Sequence, residues 1–146
     1  MDGSWLVPAN TPLNDITDTI VRVADGRKTR LATVVINCHG VPGKLNIGQG
    51  CNLGDIEKFS NWRDKVERIW LIACRVGQGP DGYAFCRAMA VKSGAYVTGG
   101  VDFQYDDAWS VWGSAHLPSG YVDDWEGTVH RFDPKGNMYG GPNWKY

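Results

Sequence analysis

An α/β fold built on a mostly parallel central sheet is the architecture this sequence predicts, on three observations. Short apolar runs at 31–37 (LATVVIN), 68–73 (RIWLIA) and 95–101 (AYVTGGV) have the continuous, β-branched character of strands covered on both faces. Segments with helical spacing alternate with them, and that alternation argues for parallel pairing with helices on both faces of the sheet. The 146 residues suit a single domain, 1–146, long enough to bury roughly 68–70% of the surface that its unfolded chain exposes.

In order along the chain, Asn14 or Asp15 is placed to cap a helix whose apolar positions Ile16, Ile20, Val21 and Val23 recur at helical spacing, ending at Asp25 and Gly26. The strand 31–37 runs into Cys38, His39 and Gly40. Residues 44–48 suit a short strand or hairpin arm, and 55–66 show helical spacing in Ile56, Phe59, Trp62 and Val66. The strand 68–73 runs into Cys74. A loop at 75–79 then precedes Pro80 and Asp81, which suit a helix start, and residues 83–92 turn Phe85, Cys86, Met89 and Ala90 inward before Gly94 ends the helix. After the strand 95–101 the pattern changes to short antiparallel pieces and loops, with a strong turn at Asp133, Pro134, Lys135 and Gly136. Trp109, Trp112, Trp125 and Trp144 are expected to form a C-terminal mini-core.

Composition narrows the function. With 15 basic and 16 acidic side chains, nothing steers the chain toward nucleic acid or a membrane surface, so any partner is recognised locally. The cysteines at 38, 51, 74 and 86 form no C-x-x-C pair, and no tight His cluster accompanies them, so neither a metal nor another cofactor is expected. No G-x-G-x-x-G or P-loop follows a strand, which disfavours nucleotide binding. The first thirty residues lack the features of a signal peptide, and no apolar run is long enough to span a membrane. The expected setting is the reducing cytosol, without disulfides, or export by a signal-peptide-independent route into a target cell.

The chemistry lies where two strands end. Ligands of open α/β sheets bind outside the carboxyl ends of the strands, and here one such end delivers His39 and the next delivers Cys74. If the two strands are neighbours, imidazole and thiol face one cleft, and the imidazole raises the thiolate fraction that attacks. Gly40 lets backbone approach a substrate, so its amide and that of Cys74 can form an oxyanion hole, and the helix starting near Asp81 adds positive potential.

The blocks VVINCHGVPGKLNIG, ERIWLIACRVG and GYAFCRAMAVKSGAYVTGG resemble the clan of caspase-like cysteine peptidases, which includes caspases, gingipains, clostripain and the self-cleaving domains of large bacterial toxins. The resemblance covers residues 31–101. It implies a three-layer sandwich, His39 as general base, Cys74 as nucleophile, and Gly40 with Cys74 as oxyanion donors, without a cofactor. Two departures set the chain apart from caspases. Their Gln-Ala-Cys-Arg-Gly string stands here as Ile72, Ala73, Cys74, Arg75, Val76 and Gly77, and the His-to-Cys separation of 35 is shorter than about 50 in caspases. Aspartate specificity is therefore not carried over, and bacterial toxin or effector members look nearer. That implies a protein substrate and a separate immunity or inhibitor protein as partners.

Alternatives stand beside each assignment. Cys38 is a competing nucleophile, although strand alternation aims it away from the side His39 takes. Cys86 has core spacing, while Cys51 reads as a surface thiol or a cleft contact. His116 and His130 read as surface or locally bonded histidines. Asp102, Asp106 and Asp107 follow the third strand and are candidates to select a basic residue before the scissile bond, or else form a solvated turn. The alternative function is a catalytically silent module that recognises a protein through its Trp-rich C-terminal region.

Overall fold

The structure is a computed structural model that describes residues 3–101 and 129–139. The candidates Asp102, Asp106, Asp107 and His116, and the four tryptophans of the expected mini-core, lie outside the described residues. Along the chain the elements are α1 (Leu13–Arg27), β1 (Leu31–Asn37), β2 (His39–Val41), β3 (Lys44–Asn46), β4 (Cys51–Asn52), a 3-10 helix (Leu53–Trp62), β5 (Val66–Ile72), α2 (Gly79–Ser93), β6 (Tyr96–Gly100) and β7 (Val129–Phe132).

The long apolar runs pair as their composition requires. One sheet has the order β1-β5-β6-β7, with β1, β5 and β6 parallel and β7 antiparallel to β6. A second, smaller antiparallel sheet has the order β2-β3-β4. The fold is thus α/β, with a mixed, mostly parallel sheet and a short antiparallel piece at the C-terminal side.

Strand alternation divides the core in two. Val34, Ile36, Ile69, Leu71, Val97 and Phe132 join one large cluster with Leu13 and Ile16 of α1, Phe59 and Trp62 of the 3-10 helix, and Phe85 and Met89 of α2. The interleaved positions Val35, Trp70, Ile72 and Val129 form a separate small cluster. All three described helical elements therefore cover the same face of the large sheet, where helices on both faces were expected. β1 also differs from expectation, because it is the edge of the described sheet and only Ile36 within it is fully buried.

Three local readings are corrected. α1 starts one residue before Asn14 with Pro12 at its cap position and no side-chain cap, and it continues to Arg27, where Lys28 turns left-handed and its amide bonds back to Ala24 and Asp25. The stretch expected as an α-helix is a 3-10 helix. Ile56, Phe59 and Trp62 recur every third residue, which is the 3-10 period, and Asn52 and Asp55 close its start as a capping box. Val66, taken for its last apolar position, instead opens β5. Trp62 fixes the arrangement by donating its indole N–H to the Thr17 carbonyl at 3.0 Å and meeting Phe59 edge-on at 4.9 Å.

α2 follows expectation: Pro80 lies in its first turn, Phe85, Cys86, Met89 and Ala90 are buried, and Gly94 ends it with a left-handed φ of 66°. The turn at 133–136 is also present, closed by Gly136 N–H on the Asp133 carbonyl, while the Asp133 carboxylate accepts from the amides of Lys135 and Asn137.

Candidate active site

The β1–β5 ladder decides where the two candidate residues His39 and Cys74 fall. Leu31 stands opposite Val66 and Asn37 opposite Ile72, and every pair between them keeps the same offset of 35 residues. That offset equals the separation of His39 and Cys74. The ladder continues one step past the strand ends, with Cys38 N–H donating to the Ile72 carbonyl at 3.2 Å. His39 and Cys74 each lie two residues beyond the carboxyl end of one of two neighbouring parallel strands.

After Cys38 the chain turns into the hairpin β2–β3, in which His39 pairs with Asn46 and Gly40 with Leu45. His39 therefore opens a second strand and does not simply trail the end of β1. The hairpin leans on the loop that carries Cys74. A Cβ built on Gly40 would lie 2.8 Å from the Ala73 Cβ and 3.3 Å from the Cys74 carbonyl oxygen, so only glycine fits there without a shift. Further along, Gly43 N–H donates to the Val76 carbonyl at 2.9 Å. The backbone of Gly40 accordingly lies beside that of Cys74, the juxtaposition an oxyanion hole made from both would need.

The loop between β5 and α2 is tightly specified. Arg75, directly after Cys74, has a left-handed φ of 50°, which a side-chain-bearing residue adopts only where its surroundings hold it. Gln78 N–H bonds to the Arg75 carbonyl at 2.9 Å, and Gly77 N–H bonds to the Gly100 carbonyl of β6 at 2.8 Å. The Gly77 carbonyl accepts from Nδ1 of His130 on β7 at 3.1 Å. Below them, a Cβ on Gly82 would fall 2.2 Å from the Gly77 carbonyl carbon, so the first turn of α2 is pressed against this loop. Asp81 in that turn offsets part of the positive potential at the helix start.

The thiols fall into two pairs by access: Cys51 and Cys86 are buried, Cys38 and Cys74 half-buried. His39 is exposed, so neither it nor Cys74 is sealed in the interior. Cys38 is packed against the helix-side core, and its thiol is pushed up to about 11 by burial, opposed by a hydrogen bond with the Asn46 backbone. Cys51 is not the surface or cleft thiol expected of it: it is buried in the core with its thiol pushed up to about 12, chiefly by burial and then by the nearby Asp55. Burial alone pushes Cys86 up to about 12, in keeping with a packing role. At neutral pH these three stay protonated and poorly nucleophilic. All four cysteines are free, and among the described residues no group of three or more His, Cys, Asp or Glu is arranged to hold a metal.

The residues that sequence reasoning missed are those that hold the loop. Gly43, Gly77 and Gly100 act through backbone hydrogen bonds, which leave no side-chain pattern. His130 is not the surface or locally bonded histidine expected: it is part-buried and reaches Gly77 across 53 residues of sequence, in the segment carrying Cys74. Compared with protein-family models, with curated proteins and with solved structures, the chain finds no match.

Proposed function

We propose that the chain is a cysteine peptidase of the caspase-like kind, with Cys74 as nucleophile and His39 as general base. The observation that carries this reading is the coincidence of the β1–β5 register with the His39-to-Cys74 separation, which sets a half-buried thiol and an exposed imidazole at the carboxyl ends of adjacent strands. The motif blocks at 31–101 supply independent support. In the reaction, His39 takes the Cys74 proton and the thiolate sulfur bonds to the substrate carbonyl carbon. The amides of Gly40 and Cys74 hold the resulting oxyanion. The C–N bond then breaks as the imidazolium protonates the leaving amine, and water hydrolyses the thioester with His39 again as base.

The same reading brings with it the caspase-like three-layer architecture, a protein substrate and, for a toxin or effector, a cognate immunity or inhibitor protein. Asp102, Asp106 and Asp107 remain its candidates for selecting a basic residue. The test compares new protein N-termini in cells that express the wild-type chain, Cys74→Ala or His39→Ala. A set of cleavages lost in both variants supports the peptidase. Cleavages surviving either substitution, or a wild-type chain that cuts nothing yet retains a bound protein equally well in all three forms, would replace it with the silent interaction module. Limiting iodoacetamide gives a second readout, with modification expected first at Cys74.

A further inference from the structure

We infer that His130 is a positioning residue of this site, clamping the loop that carries Cys74; the inference rests on the peptidase reading. A carbonyl oxygen only accepts hydrogen bonds, so the 3.1 Å contact to Gly77 requires a proton on Nδ1 of His130. With the Gly77 amide donating to Gly100, both polar groups of this residue are tied to the β6–β7 side of the sheet. Three residues earlier, Cys74 is followed by the left-handed Arg75, a conformation unfavourable for a side-chain-bearing residue and held by its surroundings. The other ties described for this loop, from Gly43, Gly100 and the turn itself, are backbone bonds that a substitution cannot delete cleanly. His130 supplies a constraint from a side chain.

The position is also built to keep the ring still. His130 pairs with Gly99 across β6, is only part-exposed, and its ring stands edge-on to Phe132 at 6.5 Å, which in turn meets Tyr83 of α2 edge-on at 5.0 Å. The imidazole thus links β7, the nucleophile loop and the first turns of α2.

His130→Phe keeps the ring volume and removes the donor, while His130→Asn restores a donor near the Nδ1 position. Amide hydrogen exchange on the full chain reads the clamp without reference to activity. In His130→Phe, exchange across residues 75–78 is expected to accelerate about tenfold, the factor corresponding to loss of one hydrogen bond, and to return toward wild type in His130→Asn. With a cleaved substrate in hand, kcat is expected to fall about tenfold at unchanged KM in His130→Phe and to recover in His130→Asn. Unaltered exchange at 75–78 overturns the clamp, and faster exchange with unaltered kcat overturns the positioning role. A wild-type chain without any turnover sinks the peptidase reading instead, and the exchange result still judges the clamp.

Discussion

Burial sets Cys51 and Cys86 apart from the half-buried Cys38 and Cys74, and it has a measurable alkaline consequence. Cys86 is fully buried, and its thiol is pushed from an ordinary value of 9.0 up to about 12. In the unfolded chain that thiol ionises near pH 9, while in the folded chain it holds its proton. Above pH 9 the native state therefore binds more protons than the unfolded one, so stability is complete below pH 9 and falls as pH rises toward 12. The slope is about 1.4 kcal/mol per pH unit for each such thiol. Urea midpoints measured between pH 8 and 11 should decline, and Cys86→Ala, though less stable at the outset, should decline less steeply. Parallel slopes for the two proteins would reject this origin. Opposite signs are expected at two glycines. Gly26 in α1 has nothing within 4 Å of a built Cβ, so Gly26→Ala should stabilise the protein by about 0.5–1 kcal/mol, read as a raised melting temperature.

At the scale of elements, the site depends on how the β2–β3 hairpin seats against the end of β5. Gly40→Ala places a methyl 2.8 Å from the Ala73 Cβ and 3.2 Å from the Lys44 carbonyl oxygen, so the hairpin or the loop that carries Cys74 must shift. The overpacking should cost about 1–3 kcal/mol. If Gly40 also serves the oxyanion, cleavage should fall well beyond what that destabilisation explains, as assayed far below the melting temperature. Activity equal to wild type in a folded Gly40→Ala protein would remove Gly40 from the site. The elements also show how an amphipathic reading can succeed in position and fail in kind. Ile56, Phe59 and Trp62 do face the core, yet their spacing of three residues fits a 3-10 helix as well as an α-helix, and the capping box of Asn52 and Asp55 starts the tighter form.

For the molecule as a whole, Trp62 ties the N-terminal helix to the core. It is completely buried, bonds to the Thr17 carbonyl of α1 and belongs to the same large core cluster as Ile69, Leu71 and Met89. Trp62→Ala should cost about 3–5 kcal/mol, and Trp62→Phe about 1 kcal/mol for the lost hydrogen bond plus a cavity cost, as measured by urea unfolding. A loss under 1 kcal/mol in the alanine variant would show that α1 and the 3-10 helix pack independently of this residue. Among the described residues no helix is long and apolar enough to cross a membrane.

The strands at 31–37, 68–73 and 95–101, α2 and the turn at 133–136 were determined by the sequence itself. Continuous β-branched runs, proline at a helix start and glycine at its end constrain the local backbone wherever the chain goes. The identities of His39 and Cys74 as residues at the ends of those strands were legible for the same reason. That they follow the ends of neighbouring strands was not, because a separation of 35 acquires meaning only when β1 and β5 pair in parallel at that offset. Tertiary structure alone also decided that Cys51 is buried, that His39 belongs to a hairpin, that the described helices share one face and that His130 holds Gly77. Each of these depends on contacts between segments far apart in the chain, and neither periodicity nor composition records which distant surfaces will meet.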